Sequence, residues 1–511
     1  MSSEQIKQKI DTQTKKDTIV SWPAISLIIF STVWNFNNNI SGFGYFGGTR
    51  VIIPWILIFA LFLLPYALMV GELGSVFKTK GAGVASWIFE TIGSKAAYLS
   101  GWIGWVVILP YISQRPSLVI VAFNWMFNQN GDISQIDPLT VQLIGAAIFL
   151  GCVLLASIGI KLIKVASSIA GGCVIAMFVL YIVLGLSAPL LSPNQDMIQP
   201  IDFNIQNFFP NDPSVLMSLA ILVLGVGGSE KISPYVNRMK NPTKDFSKSM
   251  IFLVALVAFL ALSACVAMGM MFGQFGELAG INDLRASGWI TNGQYLSFQK
   301  LGELYNCGNL FLIMYALVKF FLDLTVMIVM IDLPLRMLAG TTDGRYIPLG
   351  LLNKNRFGTY PRFLLIIAII VCVILILPTV GIDSTDALVK WLLDINSICM
   401  PLFYMCVFLA YMALKGTKKG RKFKSDGFVF IKNNKVGTIV GAWCFLICFF
   451  AVILQIINSS DGFTLVLNIF TPVILLGVGI ILPFFARLYN KKHNITDEQI
   501  FALADKDTFE E

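Results

Sequence analysis

Apolar stretches about twenty residues long recur along almost the whole chain, and they leave few folds open to it. An α-helix needs roughly 20 apolar residues to cross the hydrocarbon core of a bilayer. Twelve stretches meet this requirement and are predicted to be membrane spans 1 to 12: residues 20–44, 51–76, 96–127, 138–157, 162–187, 214–236, 247–273, 308–339, 362–380, 386–414, 436–457 and 463–489. Charged residues make up only 13% of the chain, about half the share in soluble domains. An all-α integral membrane protein is therefore predicted.

Basic residues are distributed very unevenly between the two sides of these spans. If the N-terminus lies inside, the inner loops, tails and inner span ends hold 31 of the 37 Lys and Arg. The outer loops hold three, Arg50, Arg285 and Lys300. Because Lys and Arg accumulate in cytoplasmic loops, both termini of this multi-pass membrane protein are predicted to be cytoplasmic. The net charge of +8 follows from this topology, so the lipid bilayer and not nucleic acid is the expected partner.

The predicted spans divide the chain into membrane segments and short connections, without a soluble domain. The segments are a cytoplasmic tail 1–19, spans 1–5 in 20–187, an extracellular loop 188–213, spans 6–10 in 214–414, a basic cytoplasmic loop 415–435, spans 11 and 12 in 436–489, and a cytoplasmic tail 490–511. In the outer loop before span 8, the apolar residues of 290–307 predict a short helix at the membrane interface.

Two of the predicted spans carry sequences that do not suit a continuous apolar helix. They are Thr32-Val33-Trp34-Asn35-Phe36-Asn37 in span 1, which runs on to Ser41-Gly42-Phe43-Gly44, and Gly225-Val226-Gly227-Gly228-Ser229-Glu230 in span 6. Non-helical backbone occurs at membrane depth only where protein or a water-filled cavity pairs its polar groups. Interruptions at corresponding places in two halves of a chain indicate the binding site of a transporter.

Charged residues inside spans are a second indication of function, since a charge in the bilayer core is costly. Lys319 and Asp323 lie four residues apart in span 8, so they share a helical face and can form an ion pair. The two side chains either exchange a proton or lock the bundle as a structural pair.

Two further charged residues lie close to the interrupted spans. Arg115 precedes Pro116 in span 3, where it either binds a substrate carboxylate, holds a gate, or links to a neighbouring carboxylate. Glu230 follows the interruption of span 6, where a buried carboxyl would serve as a proton site, and one paired with a cation would gate the inner pathway. A proton is therefore one expected coupling ion.

Short motifs recur at the cytoplasmic ends of several spans. They are Gly71-Glu72-Leu73 and Lys80-Gly81-Ala82-Gly83 at the end of span 2, Lys240-Asn241-Pro242-Thr243-Lys244-Asp245-Phe246 after span 6, and Arg336-Met337-Leu338-Ala339-Gly340 with Asp343-Gly344-Arg345-Tyr346-Ile347-Pro348 after span 8. In this order, and with twelve spans, they resemble the amino acid–polyamine–organocation superfamily over nearly the whole chain. Within it, the chain is most similar to the bacterial glutamate/GABA antiporter branch.

The resemblance implies a leucine-transporter-type fold. Spans 1–5 and 6–10 would form two inverted repeats, with spans 1 and 6 broken at the midplane and spans 11 and 12 appended. Many members of the superfamily have a Gly-Ser-Gly-Ile-Gly-like run in span 1, whereas this chain has bulky residues there. The implied substrate-binding residues are Trp34, Asn35, Phe36 and Asn37 in span 1, and Gly225, Val226, Gly227 and Gly228 in span 6. In this fold span 8 faces span 1, and sodium-coupled relatives have small hydroxyl residues there. The resemblance therefore implies that the Lys319 amine or Thr325 occupies the place of a coupling cation, with sodium as the second candidate ion, and that the protein lies in the plasma membrane (bacterial inner membrane). For the glycines and the aromatic residues, simple helix packing is the competing interpretation.

Taken together, these features predict a secondary amino-acid transporter that works by alternating access, with glutamate/GABA-type exchange as one form. No phosphate-binding loop occurs, which argues against ATP-driven pumping. The only histidine, His493, lies in the tail, and no Cys-x-x-Cys pair occurs, so neither an enzyme nor a metal or cofactor site is expected. A transporter of polyamines or other organic cations is one alternative. A receptor or scaffold without transport activity is another.

Overall fold

The computed structural model describes residues 33–78, 83–131, 136–158, 161–210, 218–239, 241–279, 288–340, 344–355, 359–380, 385–423, 427–459 and 461–496, with the single residues 22, 26, 30, 342 and 357. The helices of these residues are α1 (Phe36–Phe46), α2 (Gly48–Val76), α3 (Val84–Thr91), α4 (Ser94–Asn128), α5 (Pro138–Ile158), α6 (Lys161–Leu191), α7 (Leu219–Val226), α8 (Pro242–Phe272), α9 (Trp289–Leu304), α10 (Leu310–Gly340), α11 (Pro361–Val380), α12 (Thr385–Gly416), α13 (Asn434–Ile457) and α14 (Gly462–Lys492). The fold of the described chain is helical, as its apolar stretches predict.

Ten helices of the described residues are long and apolar enough to cross a membrane. They are α2, α4, α5, α6, α8, α10, α11, α12, α13 and α14, and they correspond to predicted spans 2–5 and 7–12. The two predicted spans that do not appear among them are spans 1 and 6. These are the two spans in which the sequence predicts an interruption.

Span 6 is interrupted in the structure close to where the sequence indicates. The eight-residue helix α7 ends at Val226, two non-helical residues follow, and a 3₁₀ segment, Ser229–Arg238, continues the chain. In span 1, Trp34 and Asn35 are non-helical, and α1 begins at Phe36. Residues 20–21, 23–25, 27–29 and 31–32 of that span lie outside the described residues.

The extension of the first interruption to Ser41–Gly44 is wrong, because these residues lie in α1. Their glycines serve helix packing instead. A Cβ on Gly42 would lie 2.8 Å from Nε1 of Trp55, and one on Gly44 would lie 2.6 Å from Cδ1 of Trp289. Glycine therefore lets α1 pack directly against two indole rings.

The packing of the helices places α1 and α7 together inside the bundle. The short helix α1 contacts α7 and α9, and α7 also contacts α12 and α13. Helix α4 packs along α10 and against α12, while α8 packs along α2. Of the ten long helices, α4 and α12 are the most buried and α13 and α14 the least. The exposed sides of α13 and α14 are rich in apolar residues, as a lipid-facing surface requires.

Helix α9 confirms the predicted helix in the loop before span 8, and its location at the membrane interface stays a prediction. Most of its apolar side chains are fully buried, including Trp289, Tyr295 and Phe298, while Ile290 and Leu296 are half-buried. They pack against α1 and α10, and Trp289 Nε1 donates to the carbonyl oxygen of Ile40 at 2.9 Å. The helix therefore covers the interrupted span 1.

Candidate functional site

The first half of the candidate site is the N-terminal end of α1. The residue before the helix, Asn35, has extended backbone angles (φ −143°, ψ 163°) and makes no side-chain capping hydrogen bond. Its side chain is exposed, and Asn37 is half-buried with an Oδ1 that has no hydrogen-bond partner among the described residues. The first amides of a helix have no partner within it and lie at the positive end of its dipole. This end of α1 is therefore suited to an anionic group.

The second half of the site is the C-terminal end of α7, where two glycines leave the helix. Gly228 has φ 113°, a backbone conformation that residues other than glycine rarely adopt. A Cβ on Gly227 would lie 2.0 Å from Cζ of Tyr404, so this backbone lies directly against the Tyr404 ring. Gly225 and Val226 are the last residues of the helix and are buried. Position 227 therefore requires glycine because a side chain would clash with Tyr404, and position 228 requires glycine because of its positive φ.

Asparagine side chains connect the two interruptions to each other and to α8. Asn38 Nδ2 donates to the carbonyl oxygen of Gly225 at 2.8 Å. Asn39 Nδ2 donates to the carbonyl oxygen of Ala261 at 2.7 Å, and its Oδ1 accepts from Trp34 Nε1 at 3.2 Å. The sequence interpretation missed Asn38 and Asn39. The signal was present, because three consecutive asparagines in an apolar span must find partners.

The two aromatic residues of the first interruption are packed by protein. The Trp34 ring lies 4.9 Å from that of Trp55, centre to centre, and is 1% exposed. The Phe36 ring lies 4.7 Å from that of Tyr181 and 6.2 Å from that of Tyr315. The structure therefore places both rings in the wall around the interruption, whereas Asn35 is exposed and Asn37 is half-buried.

Arg115, Lys319 and Asp323 form a buried charged cluster between α4 and α10. Arg115 Nη1 lies 2.5 Å from Asp323 Oδ1, and Lys319 Nζ lies 2.8 Å from Asp323 Oδ2. All three side chains are at most 10% exposed. The spacing of Lys319 and Asp323 predicts their pairing, and the structure places Arg115 on the same carboxylate. Two cations thus share one buried anion.

The cluster continues toward the interruption of span 6. The guanidinium of Arg115 lies 4.2 Å from the ring centre of Tyr111, and Lys231 Nζ lies 5.7 Å from the same centre. Lys231 follows Glu230, which is fully buried and accepts a hydrogen bond from the Tyr66 hydroxyl. Together these elements bring three basic side chains near two carboxyls. The sequence interpretation did not include Lys231 in the site. A lysine at the predicted inner end of a span is usually explained by its role in orienting the protein in the membrane.

Thr325 lies two residues after Asp323 in α10 and is buried. Its hydroxyl donates to the carbonyl oxygen of Phe321 at 2.6 Å, so its hydrogen is engaged within its own helix. A role for Thr325 as an ion ligand remains a prediction.

The geometry described above defines a class: a multi-pass helical membrane protein with a polar site at two interrupted helices, as in secondary transporters. The sequence model of the family described as "Amino acid permease" matches residues 20–490. The chain belongs to this family. It is a transporter and not an enzyme, and a multi-pass protein of the bacterial cell membrane.

Individual relatives agree with the family. The chain is 37% identical to the aspartate/glutamate permease AcaP of Lactococcus lactis subsp. cremoris over 494 residues, which covers 95% of this chain and 98% of the relative. It is 25% identical to the inner membrane transporter YjeM of Escherichia coli, over 45% of this chain and 48% of the relative. It is also 25% identical to a glutamate/gamma-aminobutyrate antiporter of Lactococcus lactis subsp. cremoris, over 38% of each chain.

Proposed function

We propose that this protein is a secondary transporter of an acidic amino acid, glutamate or aspartate, that works by alternating access. The observation that carries the substrate class is the excess of basic over acidic side chains in the buried cluster of Arg115, Lys319 and Asp323. An uncompensated cation in a dry site is costly until an anion binds to it. The similarity to an aspartate/glutamate permease over nearly the full length supports the same class.

The three charged groups of such a substrate have matching groups in the protein. Its α-carboxylate suits the amides at the start of α1, beside Asn35 and Asn37. Its ammonium group suits the carbonyls that end α7, beside Gly227. Its side-chain carboxylate suits the basic cluster, which is close to α1 because Tyr315, one turn before Lys319, contacts Phe36. A polyamine would bring its positive charges toward this excess of cations, which disfavours the organic-cation alternative.

The transport cycle that we propose follows the inverted-repeat architecture. Spans 1–5 and 6–10 would move against each other around the site, with twelve spans in all and both termini in the cytoplasm. The unequal distribution of Lys and Arg between loops supports this orientation. The proposed coupling ion is a proton carried by Glu230. This carboxyl is fully buried, and its Oε1 has no hydrogen-bond partner among the described residues.

The test is transport by the purified full chain in liposomes preloaded with buffer, glutamate or GABA. Uptake of labelled glutamate is measured with unlabelled aspartate, GABA or putrescine as competitors, and with imposed proton or sodium gradients. We expect aspartate to compete with glutamate and putrescine not to compete. Uptake that requires internal glutamate or GABA would identify exchange, and uptake driven by a proton gradient from buffer-loaded liposomes would identify symport. Competition by putrescine, or uptake of putrescine alone, would contradict the acidic substrate.

A further inference from the structure

A second site of the molecule lies far from the interrupted helices, where α14 reaches the basic end of the bundle. A cavity of about 780 Å³ opens there between the start of α4, the loop after α10 and the end of α14. Within the part of the chain that the structure describes, its lining holds the basic side chains of Lys95, Arg345, Arg487 and Lys491 and no acidic side chain. This composition indicates an anion site.

The walls of this cavity are held together by specific contacts. The Tyr346 hydroxyl donates to Ser94 Oγ at 3.2 Å, and the Tyr346 ring stacks on that of Tyr98 at 4.8 Å. From the other side, Asn490 Nδ2 donates to the carbonyl oxygen of Gly344 at 2.8 Å, and Asn490 is 9% exposed. The loop that carries Gly344 and Tyr346 is therefore fixed between α4 and α14, so Lys95, Arg487 and Lys491 line a defined cavity.

The surface next to the cavity distinguishes a lipid from a soluble anion. Ile480, Phe484, Arg487 and Lys491 follow one another at helical spacing of three or four residues, so they share one face of α14. The two apolar residues of this face are 69% and 60% exposed. Basic side chains thus lie at the end of a lipid-exposed apolar strip, as the headgroup and acyl chains of a phospholipid require.

From this arrangement we propose that the cavity binds the phosphate headgroup of an anionic phospholipid. The phosphate lies among Lys95, Arg487 and Lys491, and an acyl chain lies along Ile480 and Phe484. Such a lipid would join α14, which is among the least buried of the long helices, to α4, which is the most buried. This inference concerns a different site from the proposed substrate site and does not depend on which amino acid is transported.

The test is native mass spectrometry of the purified full chain titrated with phosphatidylglycerol or phosphatidylcholine. The test variant is the double variant Arg487→Gln/Lys491→Gln. The control, Lys432→Gln/Lys435→Gln, removes two exposed cations from the basic 415–435 loop outside the cavity. Each basic side chain near an anionic headgroup contributes about fivefold in affinity, so the test variant should bind phosphatidylglycerol about 30-fold more weakly. The control should stay within about twofold of the parent.

Two further measurements keep the proposal falsifiable. If the double variant does not fold, Lys95→Gln on the opposite wall replaces it, with an expected loss of about fivefold. Inorganic phosphate is added in a parallel titration to distinguish a soluble anion from a lipid. Equal binding of the two lipids, unchanged binding by the variants, or saturation of the site by inorganic phosphate alone would overturn the proposal. Binding of phosphatidylglycerol only after removal of residues 497–511 would assign the cavity to the acidic C-terminal segment and would also overturn it.

Discussion

The side-chain amide of Asn38 donates to the carbonyl oxygen of Gly225 at 2.8 Å, and this one hydrogen bond joins the two interrupted spans. Gly225 lies in the last turn of α7, where carbonyls no longer have partners within the helix. The bond therefore fixes the spacing between the N-terminal end of α1, which suits a carboxylate, and the C-terminal end of α7, which suits an ammonium group.

Replacing Asn38 by Ala should weaken substrate binding without unfolding the protein. The change leaves a buried carbonyl without its donor, which costs about 1–3 kcal/mol and loosens the spacing of the two helix ends. We expect the KM for the transported amino acid to rise about tenfold. The control is Asn128→Ala at the exposed end of α4, where the same change removes an amide from a solvent-exposed contact. Unchanged transport by Asn38→Ala would show that the spacing is set elsewhere.

Lys319→Met should impair recognition of acidic substrates while the protein folds normally. Arg115 remains on Asp323 at 2.5 Å, so the buried carboxylate keeps a partner and only the excess positive charge is lost. We expect the KM for glutamate to rise at least tenfold, and Lys319→Arg to retain most of the activity. If Lys319→Met transports glutamate with unchanged KM and unchanged proton and sodium dependence, the ion pair is structural.

Asp323→Asn should have a different outcome from Lys319→Met, because it leaves two buried cations without an anion. Removing one partner of a buried ion pair costs about 3–5 kcal/mol. We expect poor yield or a lower unfolding temperature in detergent, with partial recovery in the double variant Asp323→Asn/Lys319→Met. No recovery in the double variant would show that Asp323 acts through a group other than the two cations.

Glu230→Gln should remove the response to a proton gradient. The neutral amide resembles the protonated carboxyl in shape but carries no exchangeable charge, so the transport cycle no longer moves a proton. We expect exchange between internal and external substrate to persist, and the acceleration by an inward proton gradient to disappear. Glu303→Gln, at an exposed ion pair with Lys300, is the control. A variant that still responds to the gradient would place the proton on another group.

Local and long-range features differ in how far the sequence predicts them. The long helices follow from apolar length alone, and the Lys319–Asp323 pair follows from helical spacing. The partner of Arg115 is 208 residues away, and that of Asn38 is 187 residues away. Such pairs depend on which helices pack together, which one sequence does not specify. The same limit explains why the sequence does not show that position 227 requires glycine. The requirement comes from contact with Tyr404, on a helix distant in the sequence.

Gly227→Ala should abolish transport, since its Cβ would lie 2.0 Å from Cζ of Tyr404. The backbone or the ring must move, and either movement alters the end of α7. The matched control is Gly151→Ala in α5, where a Cβ would meet no atom within 4 Å. We expect the control to keep full uptake and a normal unfolding temperature. Normal uptake by Gly227→Ala would mean that this end of α7 does not form the site.

Glu72 provides a test of stability that should leave substrate recognition unchanged. This buried carboxylate in α2 lies 2.5 Å from Lys415 Nζ, and it also accepts from the Tyr411 hydroxyl at 3.0 Å and the Phe430 amide at 3.1 Å. These contacts join α2 to the end of α12 and to the segment that follows it. Glu72→Gln leaves the buried Lys415 ammonium without a counter-charge, at a cost of about 3–5 kcal/mol.

We therefore expect Glu72→Gln to lower the unfolding temperature measured in detergent, while the KM of the remaining folded protein is unchanged. Adding Lys415→Met should restore most of the stability, because an apolar pair often replaces a buried ion pair at little cost. Breaking the exposed Lys300–Glu303 pair should cost less than about 1 kcal/mol. A changed KM at unchanged stability would contradict this expectation and would indicate that the contacts of Glu72 change during the transport cycle. A contact that is the same in every state of the cycle stabilises the fold but does not alter substrate binding.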